Sequence, residues 1–151
     1  MRTIILETLY EWGKEPYRKY VSRKDSWDIP ISDLLKYPKI SLGFHLATFL
    51  LKYHFEVQPK LENRDVLHVL TNIGTSVHEE IYMQFYLFGN GKRNIGLLAI
   101  LLFGILIFPD YLKHFMEAFK RGRKAFRFYY LDFSKMLNQP IRHIQHTFLI
   151  N

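Results

Sequence analysis

Apolar positions recur every three or four residues along most of the chain, and strand-like alternation is rare. The pattern predicts a series of helices. Residues 3–21 read as an aromatic-rich helix or helix pair. SRKDSWDIP is a polar connector ending at Pro30, and residues 31–36 form a short helix stopped by Pro38. A helix over 40–55 puts Leu42, His45, Leu46, Phe49, Leu50 and Tyr53 on one side. VQPKLEN is a loop, Asn63 suits an N-cap, and a short helix follows over 64–71 until TNIG breaks it. Ser76 with Glu79 fits a capping box, so the next helix starts near Val77 and runs to about Phe88. GNGK is a turn.

NIGLLAILLFGILIFP, from Asn94 to Pro109, is the most apolar segment. A membrane-spanning helix needs about 20 apolar residues. This uncharged run falls short of that and is bounded by Arg93 and Asp110. It reads as a helix that is buried or faces lipid, or that hides its surface in a homodimer interface. Pro109 suits the first position of a following helix over 110–130, which carries Lys113, Lys120, Arg121, Arg123, Lys124 and Arg127. Asp132 and Gln139-Pro140 start two short helices near the C-terminus. The expected fold is all-α. A single compact multi-helix domain over 1–151 has one very apolar central helix and an aromatic-lined cavity.

Composition narrows the chemistry. The 151 residues include 13 Phe and 10 Tyr, a heavy aromatic load for one domain. There is no Cys, so disulfides and thiolate metal sites are excluded and any metal must use His and carboxylates. The formal net charge of +7 suits an anionic membrane surface or a phosphorylated ligand. No nucleic-acid-binding motif accompanies the basic residues, so nucleic acid is not an expected partner. Glu7 interrupts MRTIIL too early for a signal peptide, which makes a cytoplasmic location the expectation.

RDVLHVLTNIGTSVHEE, from Arg64 to Glu80, concentrates the titratable groups. Asp65 and His68 are three apart and share a helix face. Glu80 follows twelve residues later, in the first turns of the next helix. Two helices meeting at TNIG would bring the three together as one nitrogen and two carboxylate ligands. Three protein ligands plus water make an open zinc or iron site. The same D-x-x-H spacing also fits a capping Asp beside a satisfied His.

The stretch DVLHVLTNIGTSVHEEIYMQF resembles the signature of the coenzyme Q (ubiquinone) biosynthesis protein four family: His-Asp-x-x-His, eleven residues, then Glu. Asp65, His68 and Glu80 stand at the matching places, with V-L-T and Gly74 also fitting. KRGRKA and LDFSKMLNQPIRHIQHTFLI resemble the family's tail. The resemblance runs roughly over 28–150 and is strongest over 63–151. It implies an α-helical domain with a metal, zinc or else iron, at Asp65, His68 and Glu80, which would also be the catalytic residues. It further implies a hydrophobic groove for a polyprenyl lipid and peripheral membrane attachment. A role in ubiquinone synthesis follows, with other quinone-biosynthesis enzymes as partners and oxidative decarboxylation at ring carbon one as the activity. Leu98, Leu101, Leu102, Phe103 and Ile105 of the apolar helix would line the part of the site that holds a prenylated lipid or quinone precursor.

The departure from the signature is Arg64, which stands at the first His. A guanidinium has no lone pair for a metal and stays charged. Either Asp65, His68 and Glu80 still hold a metal with water in the vacant place, or Arg64 replaces the metal's charge by pairing with Asp65 or Glu80. In the second case the chain is a non-catalytic scaffold or lipid-binding protein. Elsewhere Glu79 reads as a helix cap, His78 as exposed, His45 as a core histidine, Gln84 as a near neighbour of the site or surface, and His143 and His146 as surface. Lys120 to Arg127 reads as a solvated basic face, or as a membrane-facing one with Phe126, Phe128, Tyr129 and Tyr130 at the interface.

Overall fold

The computed structural model describes residues 27–54 and 62–151. The expected helix over 3–21 lies outside the described residues. Within them the fold is all-α, with seven helices: α1 Ile31–Leu34, α2 Leu42–Lys52, α3 Glu62–Thr71, α4 Val77–Gly89, α5 Ile95–Ile107, α6 Leu112–Lys124 and α7 Ile141–Thr147. Short 3₁₀ turns cover Pro109–Tyr111 and Phe133–Met136. No β-strand occurs among the described residues; Ser41 and Pro140 pair only as an isolated bridge.

Local chemistry sets the helix ends. Ser41 Oγ accepts from the Phe44 amide at 3.2 Å and starts α2. Asn94 Oδ1 accepts from the Leu97 amide at 2.7 Å and starts α5. α3 begins at Glu62, so Asn63 sits inside it rather than capping it. It stops at Thr71 because Asn72 turns left-handed, φ 55°, a conformation Asn tolerates. Ser76 and Glu79 form the expected capping box of α4, with the Ser76 amide donating to Glu79 Oε2 at 3.0 Å.

The helix expected over 110–130 is interrupted at both ends. Pro109 opens a 3₁₀ turn, and the α-helix proper begins at Leu112. Its C-terminus falls at Lys124, where Ala125 turns extended. The buried amide of Asn90 holds that end. Asn90 Nδ2 reaches the carbonyls of Gly122 at 3.2 Å and Phe126 at 3.0 Å. Its Oδ1 accepts from the Phe128 amide at 3.0 Å. One side chain at the end of α4 thus satisfies the Gly122 carbonyl at the end of α6 and the Phe126 carbonyl beyond it, and fixes the chain's exit.

α4 and α6 form the closest helix pair. Their backbones touch at two glycines. A Cβ on Gly89 would lie 2.1 Å from the Phe119 carbonyl oxygen, and one on Gly122 would lie 2.0 Å from that of Tyr86. Phe85 stacks on Phe115 across this pair, centroids 4.9 Å apart and 8° from parallel. Tyr86, Phe115, Phe128 and Phe133 are the largest fully buried side chains, so much of the aromatic load does fill the interior. Each such burial contributes roughly 1.5–3 kcal/mol.

α5 lies on this core by a narrow stripe of Leu97, Leu101 and Gly104. A Cβ on Gly104 would meet Ile81 Cγ2 at 2.5 Å, so the glycine lets α5 rest directly on α4. The rest of α5 is apolar and turned outward: Ile95 is 87% exposed, Leu102 65% and Leu106 78%. Leu98 and Ile105 join this outer surface, Phe103 is half-buried, and Leu101 points into the core. The five residues expected to line a lipid-binding interior are therefore divided between core and surface, with Leu98, Leu102 and Ile105 on the outside. No single helix among the described residues is long and apolar enough to cross a membrane; α5 and Pro109–Lys124 meet at a bend of 105°.

Candidate functional site

The left-handed turn at Asn72 shapes the site. It ends α3 and brings the Ile73 carbonyl back beneath the helix, where it accepts from His68 Nδ1 at 3.0 Å. A carbonyl cannot donate, so Nδ1 carries a proton, and Nε2 is the ring atom left toward α4. On one side the imidazole stacks against Phe49 of α2, centroids 5.9 Å apart and 15° from parallel. His68 is buried and held by a hydrogen bond and a ring face.

α4 delivers the carboxylate. Glu80 lies in its first turn, where an acid also complements the helix dipole. The buried Glu80 Oε1 lies 3.3 Å from His68 Nε2. The same oxygen is paired with the guanidinium of Arg64, one turn before His68 on α3. Nε2 itself has no hydrogen-bond partner. Asp65 is buried on the same helix. The structure therefore brings together Arg64, His68 and Glu80.

The donor set decides whether these residues suit a divalent metal. His68 is oriented as a metal ligand often is, with Nδ1–H on a backbone carbonyl and Nε2 toward a carboxylate. The set is nevertheless incomplete. No three His, Asp or Glu side chains among the described residues converge as a ligand group, so Asp65 does not complete a trio with His68 and Glu80. Glu80 is already taken by a permanent cation. As arranged, the cluster does not fit zinc or iron.

The neighbouring groups have settled roles. The Ser76 hydroxyl and amide hold the Glu79 carboxyl below its usual range, with the charges of His78 and His68 adding to the effect. Glu79 is thus the helix cap it was read as. His78, expected to be exposed, is half-buried with its ring 5.1 Å from that of Tyr111. His45 and Gln84 are half-buried, and His143 and His146 are on the surface.

Two features had no signal in the sequence. The first is Asn90, which reads as part of a turn. The second surrounds Arg121. It leaves the basic face to donate from Nη1 to the Tyr82 hydroxyl at 3.0 Å and from Nε to the Asn151 backbone oxygen at 2.9 Å. Its guanidinium lies 5.7 Å from the ring centre of Tyr86. The Tyr86 hydroxyl is buried without a hydrogen-bond partner, and burial pushes its pKa to about 12, with Arg121 opposing. Phe128, read as one of four interfacial aromatics, is buried in the core against Tyr86, whereas Phe126 and Tyr130 are exposed. Lys113, Lys120, Arg123, Lys124 and Arg127 remain as the exposed basic residues of α6 and its exit.

Fold and site together define an all-α protein in which α4 carries, at Glu80, a buried carboxylate joined to the half-buried Arg64 and the buried His68 and, at Ile81, the seat of an apolar surface helix. No protein-family model matches the chain, and no curated protein does. Among solved structures, a crystal structure of a proposed ubiquinone biosynthesis protein from Nostoc punctiforme is similar. Its TM-score is 0.65 at 18% identity, covering 93% of this chain and 81% of that one. At that identity the likeness is one of fold.

Proposed function

We propose that this chain binds a prenylated quinone precursor and serves ubiquinone biosynthesis at a membrane surface. The observation that carries this is the division of α4. Glu80 enters the buried charged cluster, and its neighbour Ile81 supports the apolar helix α5. An amphiphile with a polar ring and an isoprenoid tail matches such a pairing of polar and apolar surfaces. The likeness in fold to a proposed ubiquinone biosynthesis protein supports the pathway. The outward face of α5 would rest in the lipid interface, and the basic residues of α6 would draw the protein to anionic headgroups, each worth about 1 kcal/mol near the surface. Other enzymes of quinone synthesis are the expected protein partners, and a second copy of the chain could cover α5 instead.

The test is lipid extraction from the purified protein, followed by mass spectrometry, with flotation on vesicles containing phosphatidylserine. Prenylated phenols or quinones should co-purify, and Leu102→Glu with Leu106→Glu should abolish flotation. Protein that carries no prenylated lipid and ignores vesicles would refute the reading.

A second reading is favoured by the Arg64–Glu80 pair: a membrane-associated scaffold or lipid carrier without metal-dependent decarboxylation. Metal chemistry with zinc or iron would require Glu80 to leave Arg64. If Glu80→Ala keeps full biological function, the scaffold stands; if function is lost while the protein folds and binds membranes, chemistry at the cluster returns to the front.

A further inference from the structure

Three observations meet at one oxygen atom. Glu80 Oε1 lies 3.3 Å from His68 Nε2, and no hydrogen bond joins them. Nδ1 donates to the Ile73 carbonyl, so Nε2 is the ring atom left toward the carboxylate. A buried carboxylate is costly unless positive charge or hydrogen-bond donors stand beside it. The Arg64 guanidinium stands there, on the same Oε1.

We infer that Arg64 is a tethered cation. It supplies the charge that a divalent ion would otherwise supply to the Glu80–His68 pair, and it keeps such an ion out. A metal approaching Oε1 would have to displace a guanidinium whose charge is permanent and whose fork suits a carboxylate. It would gain only two donors, fewer than the three protein ligands of an open zinc site. The site is therefore latent rather than absent. Residues 64 and 68 are one helical turn apart and share a face, and both now meet Glu80. A histidine at 64 would place a third neutral donor on the same side as His68 and remove the competing charge together. One side chain thus separates a metal-independent site from a metal-binding one. This inference stands apart from the lipid reading, because metal content is measured with no lipid present.

The test is metal analysis by mass spectrometry on untagged protein incubated with zinc and desalted. Wild type should carry less than about a tenth of a zinc per chain, and Arg64→His about one. Arg64→His with Glu80→Gln should return to the wild-type level. Arg64→Gln, which removes the charge without adding an imidazole, gives a second readout: added zinc should raise the melting temperature of Arg64→His and leave those of Arg64→Gln and wild type unmoved. Circular dichroism confirms that each variant is folded. Wild-type protein that retains stoichiometric zinc and loses it in Glu80→Gln would overturn the inference. So would a folded Arg64→His protein that ignores zinc.

Discussion

Replacing Gly122 by Ala sets two opposed effects against each other. Helix propensity alone favours Ala in a helix interior by about 0.8–1 kcal/mol. The structure opposes it. The new Cβ would lie 2.0 Å from the Tyr86 carbonyl oxygen and 3.0 Å from the Asn90 amide nitrogen, and ordinary contact begins near 3.4 Å. The obstacle is helix backbone, so no side chain can swing aside. α4 and α6 would have to separate by about 1 Å, loosening the Phe85–Phe115 stack and the Asn90 bonds to the end of α6. Overpacking of this kind costs about 1–3 kcal/mol, and more where backbone must move. The net expectation is a loss of about 2–3 kcal/mol. For a domain of this size that lowers the melting temperature by roughly 4–12 °C. Gly96→Ala is the control. It lies in α5, and its Cβ would meet only Asn94 Oδ1, at 3.5 Å. Its melting temperature should hold or rise slightly, by the roughly 0.5–1 kcal/mol that propensity gives. Thermal unfolding by circular dichroism reads both. If Gly122→Ala melts at or above wild type, the close approach of α4 and α6 is wrong.

Asn90→Ala removes the bonds to Gly122, Phe126 and Phe128 and leaves buried backbone groups unpaired; urea titration should show a loss of about 2–4 kcal/mol, and an unchanged midpoint would refute the clamp. Tyr86 has a folded pKa of about 12 against 10.0 unfolded. The unfolded chain releases that proton first, so stability falls as pH rises from about 10 to 12, by up to roughly 2.7 kcal/mol. Tyr86→Phe should remove this part of the alkaline loss and be neutral or stabilising at pH 7, since the hydroxyl has no partner; equal alkaline slopes in the two proteins would contradict it. Glu79 is depressed, so its contribution is complete above the unfolded value of 4.5 and disappears as pH falls through the lower folded value. Glu79→Ala should cost about 0.5–1 kcal/mol at pH 7 and flatten the acid side of the stability profile, as read by melting temperature against pH.

The sequence by itself determined what local chemistry controls. Periodicity placed the helices after residue 30, Ser76 and Glu79 announced the start of α4, and Pro109 marked the break after α5. Each of these signals lies within a turn or two of the structure it predicts. The titratable stretch pointed to Asp65, His68 and Glu80, and two helices joined by a short break do bring His68 and Glu80 near each other, though not as a trio with Asp65. Direction was decided only in the tertiary structure. α5 is apolar on every side, so nothing in its pattern tells the core face from the outer one; contact between Gly104 and Ile81 makes that choice. The partner of Arg64 was likewise open between Asp65 and Glu80, and packing of α3 against the start of α4 put the guanidinium on Glu80, sixteen residues away. Asn90 carries the same lesson. A lone polar residue in a turn becomes a buried clamp because residues 32 to 38 positions later return to it, and no local pattern records that return.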